Sequence, residues 1–199
     1  VIAGSDVVSS LPFRFDATRH VYLPLEPGDP YPHITGMLEE CGLSPDPTWF
    51  TLESKQRGTA VHKLTADYDL GALDVPSCTS RYRGYLLGHV AMMNILRPDV
   101  LEVEQASVHP TYKFAGRPDR VWSLDGAIVV PDIKTGPYED CHPIQTALQA
   151  ILVSLRYRLP APSIGRFGIY LKPTGKFKVE QFNKRADFDE ALRVIRRCC

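Results

Sequence analysis

No run in the 199 residues approaches the roughly 18 consecutive apolar residues of a membrane-spanning helix, which excludes a helical transmembrane class. The first residues also lack the basic-then-apolar pattern of a secretory signal, and the expectation is a protein that works inside a cell. Cysteine is scarce and odd in number. Cys41, Cys78, Cys141, Cys198 and Cys199 are too scattered for the disulfide framework of a small secreted domain, and read as reduced thiols. Net charge is absent too: 23 basic residues balance 23 acidic ones, which argues against a general polyanion binder. No internal repeat or low-complexity tract appears, so solenoid and linker architectures are excluded.

What is present suffices for one domain with a real core. The balanced charge is unevenly spread. Residues 1–140 carry 12 Lys/Arg against 19 Asp/Glu, whereas residues 141–199 carry 11 against 4. A basic carboxy-terminal segment suits a phosphate backbone lying across it, and equally an ordinary solvated face.

Periodicity outlines the elements. Phe13–Phe15 and His20–Leu23 alternate like two short strands, and 24–32 is a loop rich in Pro, Gly and Asp. Helices are expected over 34–41 (Thr35 as cap), 53–68 and 79–96, the last stopped by Arg97-Pro98. Period two then takes over at 100–108, 113–124 and 127–135. An apolar-striped helix over 144–157, a second hairpin over 166–171 and 176–182, and a helix over 187–197 with Asp187 as cap complete the chain. This order predicts an α/β fold with a mixed central sheet flanked by helices.

The chemistry concentrates on one hairpin. Asp125-Gly126 is a strong two-residue turn signal, and a tight register about it sets Asp119 opposite Asp132. Lys134 shares the face of Asp132, because strand side chains alternate. Carboxylates are hard oxygen ligands suited to Mg²⁺ or Mn²⁺, and a cation there can polarise a phosphodiester beside a lysine that orients water. Asp-x-Lys alone is common and, taken by itself, favours a structural salt bridge on a hairpin.

Other residues gain meaning beside it. His62, in Gly58-Thr59-Ala60-Val61-His62, is a candidate metal ligand on the second helix or a structural histidine. Glu102 and Glu104 share one face of the strand before the hairpin, and Glu104 is a candidate extra carboxylate. Gln145 and Gln149 lie one helical turn apart, Gln145 placed for a substrate phosphate or a water and Gln149 for DNA. Arg117 and Arg120 flank Asp119 as candidate phosphate contacts, or as counter-charges to the carboxylates.

Gly-Thr-x-Val-His, Gly-Arg-Pro-Asp, Asp-Ile-Lys-Thr-Gly and a glutamine on the next helix, in this order, resemble the RecB-type branch of the PD-(D/E)XK nuclease superfamily. Within it the chain is most similar to phage and CRISPR-associated RecB-like exonucleases, as is Tyr31-Pro32-His33-Ile34-Thr35-Gly36-Met37-Leu38. The resemblance runs over about residues 13–157. It implies a restriction-endonuclease-like α/β/α core over 1–199, with 1–50 as amino-terminal hairpin and helix and 51–199 as catalytic core. It implies metal ligation by His62, Asp119, Asp132 and the Ile133 carbonyl, with Lys134 catalytic and Gln145 opening a Gln-x-x-x-Tyr motif. Gln149 stands where that motif has tyrosine. Many relatives hold an iron–sulfur cluster on one upstream and three spaced downstream cysteines; adjacent Cys198-Cys199 depart from that spacing, so none is expected.

The function implied is a Mg²⁺- or Mn²⁺-dependent deoxyribonuclease, an exonuclease acting on single strands or free DNA ends in recombination, repair or phage DNA processing. A catalytically inactive DNA-binding relative, a restriction-type endonuclease and a non-nuclease interaction domain remain open. A homo-oligomer or protein partner is compatible with the chain; a membrane is not expected.

Overall fold

The computed structural model describes residues 10–16, 18–19, 21–45 and 51–199. Its centre is a five-stranded mixed sheet of β3 (Asp99–Val103), β6 (Arg120–Leu124), β7 (Ala127–Lys134), β8 (Gly165–Leu171) and β9 (Phe177–Gln181), neighbouring in that order. The β6–β7 hairpin turns on Asp125 (φ 50°) and Gly126 (φ 81°), the two positive φ values that a tight turn of matching twist requires. Its register pairs Trp122 with Val129, Ser123 with Ile128 and Leu124 with Ala127. Continued to the open end, that register sets residue 119 against 132, as the sequence predicts.

β7 and β8 run parallel. Parallel neighbours need a crossover, and α4 (His142–Tyr157) supplies it. Pro143 in its first turn has no N–H to leave unsatisfied there.

β7 is covered on both faces, and its alternation divides the core. Val130 packs with Val121, Leu148 and Leu152 under α4 and α5 (Ala186–Cys198), whose apolar Phe188, Ala191, Val194 and Ile195 recur at helical spacing. Val129 and Ile133 pack with Trp122, Val61 and Met92 under α2 (Leu52–Asp69) and α3 (Arg83–Leu96). α3 lies hard on the β8–β9 turn because a Cβ at Gly84 would overlap the Pro173 carbonyl oxygen. Burying a Trp122 or Leu148 side chain contributes about 1.5–3 kcal/mol each, so these two layers dominate the stability.

A second, smaller assembly closes one end. β1 (Phe13–Asp16) and β2 (Val21–Pro24) form a hairpin whose Tyr22 packs with Phe13, Phe15 and Val108. The ribbon β4 (Ser107–Val108) with β5 (Ala115–Gly116) continues it. α1 (Ile34–Glu40) sets Ile34, Met37 and Leu38 into the α4–α5 core.

The structure departs from the sequence expectations at several boundaries. The run 100–108 is broken, because a bulge lies between Val100 and Glu102 and Glu104 turns to φ 50°. The run 113–124 splits into β5 and β6 around Pro118, which lacks the amide a ladder needs. α3 starts at Arg83, not 79. His33, not Thr35, caps α1: its Nδ1 accepts the Gly36 N–H at 3.3 Å. Arg185 stands at the cap of α5, and Asp187 instead pairs with Arg166 at 2.9 Å. His20 lies outside the described residues. Among the described residues no helix is long and apolar enough to cross a membrane.

Candidate functional site

Asp119 and Asp132 meet at the open end of the β6–β7 hairpin, where Pro118 keeps the chain extended before β6. The backbone joins them: the Ile133 N–H donates to Asp119 Oδ2 at 2.7 Å. The other oxygen, Oδ1, lies 3.2 Å from His62 Nδ1, which α2 brings across from 57 residues upstream. That same nitrogen is 3.7 Å from Glu104 Oε1. The Glu104 N–H donates to the Asp119 carbonyl at 3.0 Å, and the left-handed backbone there aims the carboxylate at His62. His62, Glu104 and Asp119 thus offer one nitrogen and two oxygens, all within 4.8 Å of one another.

Asp132 belongs to an adjoining set. Its Oδ1 accepts from Gln145 Nε2 at 3.0 Å and Gln149 Nε2 at 3.1 Å. Lys134 Nζ forms an ion pair with Oδ2 at 2.5 Å and donates to Gln145 Oε1 at 3.0 Å. The alternation of β7 turns Asp132 and Lys134 toward α4, while Ile133 between them enters the opposite core layer. The expected gathering of both aspartates on one ion is therefore only partly realised. Glu104 completes the trio with His62 and Asp119, and Asp132 faces lysine.

The electrostatics follow from burial among opposite charges. Burial disfavours a charged His62, but Asp119, Glu104 and Asp132 outweigh it and hold the imidazole up at about 10. Burial likewise opposes ionisation of Asp119, yet His62, Lys134 and the Ile133 amide bring it down to about 2. For Asp132 burial prevails: with Asp119 beside it, Lys134 and the glutamine amides offset the rise only in part. Lys134 is held above the usual lysine range, because Asp132 and Asp119 overcome its burial. The site is a dense array of alternating charges.

His62, Glu104 and Asp119 could together hold a metal ion, which would take the place of the proton that the carboxylates keep on the imidazole. The trio opens onto a cavity of about 720 Å³ whose walls include Tyr22, Gly58, Lys63, Arg117 and Gln145.

One of the sequence-predicted DNA contacts turns inward. Arg120 is fully buried: it donates through Nε to Asp69 at 2.5 Å, through Nη1 to the Asp119 carbonyl at 2.5 Å and through Nη2 to Thr65 Oγ1 at 3.2 Å. Asp69 in turn binds His89 Nε2 at 2.8 Å. Arg120 is a beam beneath the site, out of reach of a phosphate. Gln149 is buried too, its Nε2 donating to Asp132, but it remains on the cavity wall. Arg117 does face the cavity, with Nε 3.0 Å from Glu104 and its guanidinium over the Phe15 ring at 5.5 Å.

Glu102 diverges from Glu104 because the chain kinks between them, and it binds Tyr157 and Arg156. The basic residues after 140 do not reach the cavity: Arg166 is buried against Asp187, and the lining cations are Lys63 and Arg117. Cys41 and Cys198 lie with their sulfurs 3.8 Å apart, remote in sequence but neighbours through α1 and α5. Sequence reasoning missed Asp69 and His89, and a helix-end aspartate carries no signal for such a role. It also missed Lys63, next to His62 on the cavity wall. No protein-family model matches this chain, and no curated protein matches it.

Proposed function

We propose that this chain is a Mg²⁺- or Mn²⁺-dependent deoxyribonuclease with a restriction-endonuclease-like core, acting as an exonuclease on DNA phosphodiester bonds. The observation that carries the reading is the junction of two sets of groups at one hairpin end. The His62–Glu104–Asp119 trio is joined through the Ile133 amide to Asp132 and Lys134. His62, Glu104 and Asp119 would hold the cation, joined by Asp132 and the Ile133 carbonyl. Bound there, a cation would supply Lewis-acid polarisation of the phosphate and charge neutralisation as water adds to phosphorus and the ester oxygen leaves.

The chain's own groups do the rest. Lys134, kept protonated, orients the attacking water or holds a non-bridging phosphate oxygen. Gln145 positions Lys134 and Asp132 at once, since its oxygen accepts from one and its amide donates to the other. Gln149 braces Asp132 from below. Arg117, at the cavity rim, is the candidate phosphate contact.

The test is degradation of end-labelled single- and double-stranded DNA with Mn²⁺ or Mg²⁺, with and without EDTA, alongside closed circular DNA. Metal-dependent loss of label with circular DNA intact is expected, and Lys134→Ala or Asp132→Ala should abolish it while the fold is kept. Full activity in either variant overturns the assignment. Discrete fragments from the circle point to a restriction-type enzyme instead, and metal-independent binding without cleavage to an inactive relative.

A further inference from the structure

Glycine has an ordinary structural reason wherever φ is positive or a Cβ would press on a neighbour. Among the described glycines, Gly58 and Gly136 alone have neither: each keeps φ outside the left-handed region, and an added Cβ would meet nothing within 4 Å. Gly58 also sits inside α2, where glycine costs about 0.5–1 kcal/mol relative to alanine. These two residues, 78 positions apart, line the same hollow.

That hollow has a volume of about 370 Å³. Thr35, Gly58, His62 and Gln145 line both, so the two spaces adjoin at the cluster. Glu104 and Asp119 face the larger one, and Lys134 faces the smaller. A phosphate reacting between trio and lysine therefore sits at the seam, with room for chain on either side. The smaller hollow offers Ser54, Lys55 and Thr135 to sugar and phosphate, with Lys134 beside them and two carboxylates, Glu39 and Glu139, on its wall.

We infer that Gly58 and Gly136 keep open a passage for an unpaired strand, the smaller hollow receiving the nucleotide beyond the scissile phosphate. The inference rests on the nuclease reading and adds to it the substrate's form and two specificity-determining positions. The depth of the acids favours a single strand: Asp119 and Asp132 are 7% and 1% exposed.

Two substrates decide it, both with Mn²⁺: a single-stranded oligonucleotide labelled at one end, and bis(4-nitrophenyl) phosphate, a diester too small to span the passage. Gly58→Leu and Gly136→Val should bind Mn²⁺ as the parent does and melt no lower. Their rate on the oligonucleotide relative to the aryl diester should fall ~100-fold, the scale of misplacing a reacting group by an ångström. Gly58→Ala, whose methyl enters open space, should raise Tm by about 2–4 °C through helix propensity.

An unchanged ratio in both bulky variants overturns the passage, as does equal loss of both substrates with Tm kept. A parent that cleaves the aryl diester but no oligonucleotide, or prefers duplex ends, also overturns it while sparing a metal-dependent hydrolase. A parent inactive on both substrates removes the nuclease reading as well.

Discussion

Replacing Arg120 by methionine separates a structural arginine from a DNA-binding one. Arg120, Asp69 and His89 have no side-chain exposure, and Arg120 donates to Asp69, to Thr65 and to the carbonyl of Asp119 itself. Removing the guanidinium strands a carboxylate in the interior, with only His89 left beside it. Breaking a buried pair in this way costs about 3–5 kcal/mol, a large part of the roughly 5–15 kcal/mol that holds a domain together. For a chain of this size each kcal/mol shifts Tm by about 2–4 °C, so a drop of ~6–20 °C is expected. Arg117→Met is the contrast: its side chain is 37% exposed, and such an ion pair contributes about 0–1 kcal/mol. The assay is thermal melting by circular dichroism, with single-stranded DNA affinity measured in parallel. Asp69→Leu combined with Arg120→Met should recover part of the loss, since an apolar replacement removes both charges. Arg120→Met melting within ~2 °C of the parent while losing DNA affinity would refute the buried-beam argument.

Two further outcomes follow from the site and its surroundings. Glu104→Ala should weaken Mn²⁺ binding by calorimetry, and saturating Mn²⁺ at ~100 times its Kd should stabilise the parent by about 2.7 kcal/mol. Unaltered affinity in that variant excludes Glu104 from the cation site. Stability should also fall in acid through His142, whose burial, with Lys134 nearby, pushes its imidazole down to about 3. The unfolded chain takes up that proton near pH 6.5, so this contribution is complete above pH ~6.5 and is lost as pH falls toward 3. Urea midpoints of the parent should therefore drop more between pH 6.5 and 4 than those of His142→Phe; parallel curves sink the assignment.

The hairpin was legible from residues 119–134 because its determinants are local. Asp125-Gly126 specifies the turn, period two specifies the faces, and together they set the open end where the two aspartates meet. The stripe of α4 and the lack of a membrane-length apolar run were equally local. The bend at Glu104 was not, since a glutamate carries no mark of left-handed backbone, and so its place beside His62 was only one candidate among several.

Arg117 and Arg120 are three residues apart and chemically identical, yet one faces a cavity and the other is sealed in the interior. Nothing within a few positions separates them. The difference is made by Asp69, 51 residues away, once α2 is laid against β6. The basic tail was likewise carried away from the cleft when α5 packed on α4. Turn chemistry and side-chain alternation act between near neighbours and can be read along the chain. Which charges become partners and which stay in water depends on how the helices dock on the sheet, and that is settled only in three dimensions.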